Sequence, residues 1–598
     1  MKKKLMTLAA ALISAALLFT ACTTQPANDP PAAAETPAVT PEIPVEIPTE
    51  TPQPEQPGTT ELMIYRQATV GRTTANPHMF TAMRVMPFKG SMVATLSSVD
   101  GSNQIRFVPH HLAELPDSED GLVWTLHFRE GMFWPHDRSP LNANTYYYSM
   151  KMLIDPLLVN SNAAFLFDPC VVVNAREYFL GEADWEDVGI RLIDDYTLEI
   201  TLEFPVTPLD FWSTIGTTIW PVHEGMYEAL MNEERTITTY GTSLETTPSA
   251  GEFILTEWVV GGYELWLINP YDPLVQMGYF ALDGWHERAI ASQAVRSEMF
   301  WAEELDQHSL TGEEYLIFRN DPRARRHLAP NVWGFFVNGA SETNPILRDR
   351  DFRQALNLSA PRVAIAREVY VVFDPANYII STAIMVGDPL TSAEYFRDTP
   401  MAIATVEAFS DNIELAIELF DRAFEANGGE RVSIEIIHFD GQEDMTRLAE
   451  VTQERWETTF GRDRLEVTLR AVLPMAAYDN YRAGTYDIGI GVRLVNIFNP
   501  WSSMNVWTQD FVDPYITGFA SDEFDELYFE TMFGRYVHDP VGRAEALARM
   551  EYMLMDFAGF IPLMQNNNTV IFHERIFLPT DTFLPSIGFA PRQSTIIP

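Results

Sequence analysis

Alternating apolar and polar residues mark the clearest elements of this chain. In "DDYTLEITLEF" the residues Tyr196, Leu198, Ile200, Leu202 and Phe204 fall on one face, with Thr197, Glu199, Thr201 and Glu203 opposite. A period of two predicts a half-buried strand. "VWTLHFREG" repeats the pattern with Trp124, Leu126 and Phe128, and "GEFILTEWVVGGYELWLI" reads as two strands joined at Gly261-Gly262. Between these strands, "LNANTYYYSMKMLIDP" predicts a helix capped by Asn142 or Asn144 and stopped before Pro156.

The periodicity changes after "NVWGFFVNG", residues 331–339. Ile413, Ala416, Ile417, Phe420 and Phe424 form a helical stripe, started by a capping-box-like Asp411 and Glu414 and ended by Gly428-Gly429. The strand "VSIEIIHF" follows, then a helix through Trp456, the strand "LEVTLRAV", a short helix at "AAYDNYRAG" and the strand "YDIGIG". Strand and helix in alternation predict parallel pairing through right-handed crossovers. Further helices are expected at about 522–533 and 540–557, then the apolar strand "TVIF".

The two ends of the N-terminal region differ from all of this. Lys2, Lys3 and Lys4 precede an uncharged run from Leu5 to Ala21, and Cys22 follows directly. This is the layout of a secretory signal. From Thr23 to Thr60 there are ten prolines, several glutamates and no basic residue. Such a segment cannot bury a core and reads as an extended tether. The remaining chain, roughly 540 residues, exceeds the size at which one hydrophobic core stops growing, so at least two lobes are expected. A net charge of −43 argues against nucleic acid as a partner, since phosphate binding needs clustered cations. Cys170, the only other thiol, has no partner for an internal disulfide if Cys22 is lipidated or cleaved away.

The N-terminus resembles a bacterial lipoprotein signal, with Phe19 departing from the usual Leu, and this implies that Cys22 carries a lipid. The body resembles the extracytoplasmic solute-binding proteins of ABC importers, in their large dipeptide, oligopeptide and nickel-binding class. The resemblance runs in order through "NPHMF", "HLAELPDSEDGLVWTLHFREGMFWPHDRSPLNANTYYYSMK", "IDDYTLEITLEFPVTP", "SAGEFILTEWVVGGYELWLINP", "FFVNGASETNPILRDRDFRQALNLSAPRVAI", "TYDIGIG" and "FIPLMQNNNTVIF". It implies an α/β fold of the two-lobed periplasmic-binding-protein type (type II, large subclass), with a hinge and a ligand cleft between the lobes. The expected division is a signal at 1–21, a tether at 22–60, lobe one at 61–326 plus 501–598, and lobe two at 327–500. The two hinge crossings are expected near 327–338 and 489–500. The implied partners are a small solute, peptide-like or oligosaccharide, and a membrane permease with its ATPase. A monomer held outside the cell by a lipid anchor is expected.

In peptide-binding members, a stretch similar to "YDIGIGVRLVNIFNPW" carries a Trp and then an Asp that pairs with the peptide's α-ammonium. Keeping register from Tyr486-Asp487 to Pro500 puts Arg493 at the Trp and Asn496 at the Asp, and Asn499 at a second acidic position. An amide in place of a carboxylate removes a charge-assisted partner for an ammonium, while Arg adds a planar donor suited to anions or ring stacking. Pairing of Arg493 with a neighbouring acid is the alternative. Trp501 and Trp507 offer aromatic faces for a ligand or for the core, and Asn76 of "NPHMF" is expected on a cleft-facing loop. His110-His111 could ligate a metal, but adjacent side chains in an extended segment point apart, so no metal is assigned. No nucleophile elbow, zincin, Walker or dinucleotide motif occurs, so no catalytic residue and no cofactor are assigned. A surface hydrolase acting on peptides or glycans, or a signalling or adhesion protein on the same fold, are the alternative functions.

Overall fold

In the computed structural model the structure describes residues 62–597, apart from 70, 80–87, 99–103, 168, 387–393, 512–513 and 585. Cys22, the signal and the tether lie outside the described residues.

Two of the sheets of lobe one carry the elements read from sequence. In the first, β1 (Ile64–Thr69), β2 (Phe253–Val259), β3 (Tyr263–Ile268) and β4 (Gly284–Ala289) lie in the order β1-β4-β3-β2, with β1 parallel to β4 and the rest antiparallel. The β2–β3 hairpin turns at Gly261, whose φ of 73° is the left-handed conformation that glycine accepts without a Cβ clash. The second sheet joins Val123–His127, Thr197–Thr201 and Ile190–Asp194. Trp124, Leu126, Leu198 and Ile200 are fully buried in its core, as alternation requires, whereas Tyr196 at the strand end is exposed. The helix Ala143–Leu153 packs on that core, capped by Asn142 in a box with Thr145.

The chain leaves lobe one through β5 (Ala324–His327) and enters lobe two as β6 (Asn331–Val337). Lobe two contains β7 (Val432–Phe439), β8 (Leu465–Val472), β9 (Ile488–Leu494) and β10 (Phe560–Gln565). Its sheet runs Asp374–Pro375, β10, β6, β9, β7, β8, with β7 parallel to both β8 and β9 and β6 antiparallel to its neighbours. Around it pack α1 (Arg350–Leu358), α2 (Ile413–Ala426), α3 (Glu443–Phe460) and α4 (Pro540–Phe557). The chain then returns to lobe one as β11 (Asn568–Phe572), which pairs antiparallel with β5.

Three expectations need correction here. Residues 501–565 were expected in lobe one, but β10 hydrogen-bonds to β6 and all six of its residues are buried in the lobe-two sheet. The chain passes from β10 to β11 at 566–567, and the expected crossing at 489–500 is instead the rest of the central strand β9 followed by a loop. The cap of α2 is Asn412, which accepts from the Leu415 N–H, while Asp411 pairs with Arg362. Its buried stripe is Ala416, Leu419, Phe420 and Ala423, rotated from the expected one, leaving Ile413 and Ile417 exposed.

Both crossings run side by side. Where the ladder between β5–β6 and β10–β11 is interrupted, side-chain amides take over: Gln565 Nε2 donates to the Ala329 carbonyl at 3.0 Å, and Ala329 N–H donates to Asn567 Oδ1 at 3.0 Å. Backbone groups at the crossing are thus satisfied without a continuous sheet.

Candidate functional site between the lobes

The loop after β9 carries the residues that touch lobe one. Phe498 packs edge-on against Phe107 at 5.7 Å, within the lobe-one core, where Met385 of lobe two is also buried and donates its N–H to the Ile497 carbonyl. Beside this contact is a cavity of about 340 Å³, lined from lobe one by Thr207, Leu209, Asp210 and Trp212, and from lobe two by Met385, Phe498, Trp501 and Arg543 among others. Most of this lining is apolar, with a few convergent polar groups, the usual make-up of a ligand site at a domain interface.

Asp210 is the polar centre. Thr207 caps the short helix Pro208–Phe211, accepting from the Asp210 N–H, and so holds the carboxylate at the lobe junction. One oxygen accepts from Asn499 Nδ2 at 3.1 Å, and the other from Arg543 Nη1 at 3.0 Å and Thr207 Oγ1 at 2.9 Å. The Arg543 guanidinium stacks 3.9 Å above the Trp501 ring, and Trp501 Nε1 donates to the Arg543 carbonyl at 2.7 Å. Asn499 Oδ1 in turn accepts from Ser502 N–H. One buried carboxylate therefore ties two lobe-two segments to lobe one.

Arg493 sits at the end of β9 on the face it shares with Gly489 and Gly491. A Cβ at Gly489 would lie 2.1 Å from the Tyr481 ring, and one at Gly491 would lie 2.3 Å from Phe336. The two glycines let aromatic rings lie directly on the strand. In the resulting cage the Arg493 guanidinium lies 4.5 Å from the Phe336 centroid, 4.4 Å from Trp507 and 5.1 Å from Tyr515. No carboxylate pairs with it among the described residues. Burial pushes its pKa down to about 10, with the nearby tyrosines opposing, so it remains a cation at neutral pH.

The other predicted residues are distributed differently. Asn496 is exposed, and its Oδ1 is occupied by the backbone N–H groups of Phe498 and Asn499, both at 3.0 Å. Trp501 lines the interlobe cavity. Asn76 is not on an open loop: it is 3% exposed, and its Oδ1 accepts from His78 N–H inside lobe one. His110 and His111 are buried too, the first bonded to Asp272 and the second held between Tyr146 Oη and the Ala250 carbonyl. Contrary to the expectation that the pair points apart, the two rings lie 4.4 Å from each other, and His110, His111 and Asp272 bring their ligand atoms within 4.8 Å of one another. Sequence reasoning missed Asp210 and Arg543. The only sequence signal was "TPLDFW", a capping Thr-Pro followed by an acid in an apolar run.

Two lobes joined by paired crossings, with a lined cavity where they meet, define a solute-binding protein of the two-lobed periplasmic type. The chain belongs to the bacterial extracellular solute-binding proteins, family 5 Middle, whose model matches residues 107–513. It is 22% identical over 460 residues to the periplasmic oligopeptide-binding protein OppA of Salmonella typhimurium, covering 76% of this chain and 78% of that one. It is 24% identical over 401 residues to the probable deoxycholate-binding periplasmic protein YgiS of Escherichia coli, covering 65% and 67%. Among solved structures, Haemophilus influenzae OppA in complex with the peptide RPPGFSPFR superposes with a TM-score of 0.64 at 19% identity, covering 90% of this chain and all of that one. The murein tripeptide-binding protein MppA in its unliganded open form superposes with 0.66 at 16% identity, covering 90% and 98%.

Proposed function

We propose that this protein captures a peptide or peptide-like solute between its lobes, outside the cytoplasmic membrane, and hands it to an ABC permease and its ATPase. The observation that carries this is the cavity at the lobe junction, walled by both lobes and crossed by the loop from Phe498 to Trp501. The names of the relatives, which speak of oligopeptides and a murein tripeptide, support the solute class. The name of one relative speaks of deoxycholate, and it favours a carboxylate-bearing amphiphile as the second reading, since Arg493 is a caged cation with no carboxylate partner among the described residues. The relatives are named as binding proteins, and the reading is capture without turnover.

Trp501 is proposed as a wall of the site, and Arg493, caged by lobe-two rings outside the lining of the interlobe cavity, is proposed as the partner of a ligand anion or acceptor that extends beyond that cavity. Asn496 presents its Nδ2 but no charge, so an α-ammonium gains no charged partner there. Lobe one is proposed to span 61–327 and 568–598, and lobe two 331–565. Cys22 is proposed to carry the lipid that holds the protein at the membrane surface, where buried methylenes contribute about 0.8 kcal/mol each. Native mass spectrometry of the purified chain with a mixture of short peptides tests the solute class. Retention of intact peptides supports it; retention of none, or release of cleaved products, contradicts it. Incorporation of labelled palmitate by the wild-type chain and not by Cys22→Ala tests the anchor.

A further inference from the structure

The first lobe-one sheet carries a polar and aromatic grid on one face. In register, Tyr65 is beside Trp285 and Trp285 beside Trp266; two residues along, Gln67 is beside Glu287 and Glu287 beside Glu264. Residues two apart share a face, so a row of three rings adjoins a row of three polar side chains. Tyr65 and Trp285 stack at 4.3 Å, and the planes of Trp285 and Trp266 are nearly parallel with centroids 6.3 Å apart. Arg72 spans the two acids, its Nε donating to Glu264 at 2.7 Å and its Nη2 lying 3.8 Å from Glu287.

A cavity of about 190 Å³ covers this face, closed by Leu96, Phe280 and the C-terminal segment 586–593. Three polar atoms of its walls have no hydrogen-bond partner: the indole Nε1 of Trp266, the indole Nε1 of Trp285, and Oε2 of Glu287. Their residues are 1%, 4% and 6% exposed. Orphaned buried polar atoms are rare and call for a partner. The two indoles can only donate, and the carboxylate oxygen can only accept.

Arg72 is shared between the two acids Glu264 and Glu287, and Arg592 Nη1 donates to Glu252 at 3.1 Å. An anionic ligand would be repelled by the shared carboxylate pair, a cationic one could not accept from the two indoles, and an apolar one would leave the three atoms unpaired. A hydroxyl both accepts and donates, so vicinal hydroxyls can meet the indoles and Glu287 together. The volume equals about six waters at roughly 30 Å³ each, below the roughly 300 Å³ at which drug-sized pockets begin. We propose that this cavity is a second binding site, inside lobe one, for a small neutral polyhydroxyl compound of monosaccharide or polyol size. It is independent of the interlobe cavity and of the peptide reading.

Ligand-observed saturation-transfer NMR and calorimetry on the full chain, with D-glucose, L-arabinose and myo-inositol as probes, test this. Trp285→Phe keeps the ring and removes one N–H; Glu287→Gln removes the charge and keeps the shape. The expected result is saturable binding of at least one probe by the wild-type chain, weakened about tenfold or more in each folded variant, with peptide binding unchanged. No saturable binding of any probe by the wild-type chain would mean that the cavity holds only water. That outcome, or equal binding by wild type and Trp285→Phe, overturns the proposal.

Discussion

Asp210 shows how one residue can hold a domain interface. Its side chain and that of Arg543 are 4% and 6% exposed, so the pair is desolvated on both sides. Removing one partner leaves a buried charge unanswered, and Asp210→Ala should lower stability by about 3–5 kcal/mol. Asn499→Ala, which removes a neutral donor, should cost about 1 kcal/mol. Urea midpoints of the two variants should rank in that order; equal midpoints would show that the junction is not held by the ion pair. His78 gives a pH dependence with a definite sign. Burial, with the charge of Lys89 acting in the same direction, pushes its pKa down to about 3. The unfolded imidazole titrates near 6.5, so between about 6.5 and 3 the unfolded chain binds a proton that the folded chain refuses. Stability is present above that window and is lost as pH falls through it. His78→Gln should flatten the acid limb relative to wild type, while an unchanged slope would place the titration elsewhere.

At the scale of elements, β9 depends on its glycines. Gly489→Ala would drive a methyl into the Tyr481 ring, and the repacking should cost about 1–3 kcal/mol and disturb the cage around Arg493. Urea unfolding reads the cost, and an alanine tolerated without loss would mean that the ring is free to move. Elements with a clean period were legible from sequence: the strands at 123–127 and 197–201, the helix capped by Asn142, and the parallel β7, β8 and β9. β10 was harder to place. "FIPLMQ" is buried on every residue, and a continuous apolar run says that a strand is central without saying in which sheet. The cap at Asn412 rather than Asp411 was missed because both residues can cap, and Arg362 in another segment claims the acid. Asp210, Arg543 and the Glu264–Glu287 pair were illegible for the same reason: their partners come from distant parts of the chain, and sequence spacing carries no record of them.

For the whole molecule, the segments 328–330 and 566–567, proposed as the two crossings, are stitched together by Gln565, Asn567 and Ala329. Rotation about them would break the Asp210 contacts and withdraw Phe498 and Met385 from the lobe-one core. Small-angle scattering of Asp210→Ala should therefore show a larger radius of gyration than wild type when no ligand is present; identical curves would mean that other contacts hold the lobes. The central claim is that a peptide-like solute binds between the lobes, in a cavity whose carboxylate, Asp210, is already paired with Arg543, and that an anionic group of the solute reaching beyond that cavity is met by Arg493. Calorimetry on matched free and N-acetylated peptides, run on wild type and Arg493→Ala, tests this directly. The account predicts tighter binding of N-acetylated or acidic peptides by wild type, weakened at least tenfold in Arg493→Ala, since a charged hydrogen bond is worth about 1.5–3 kcal/mol. Tight binding that requires the free amine and is unchanged in Arg493→Ala would contradict it.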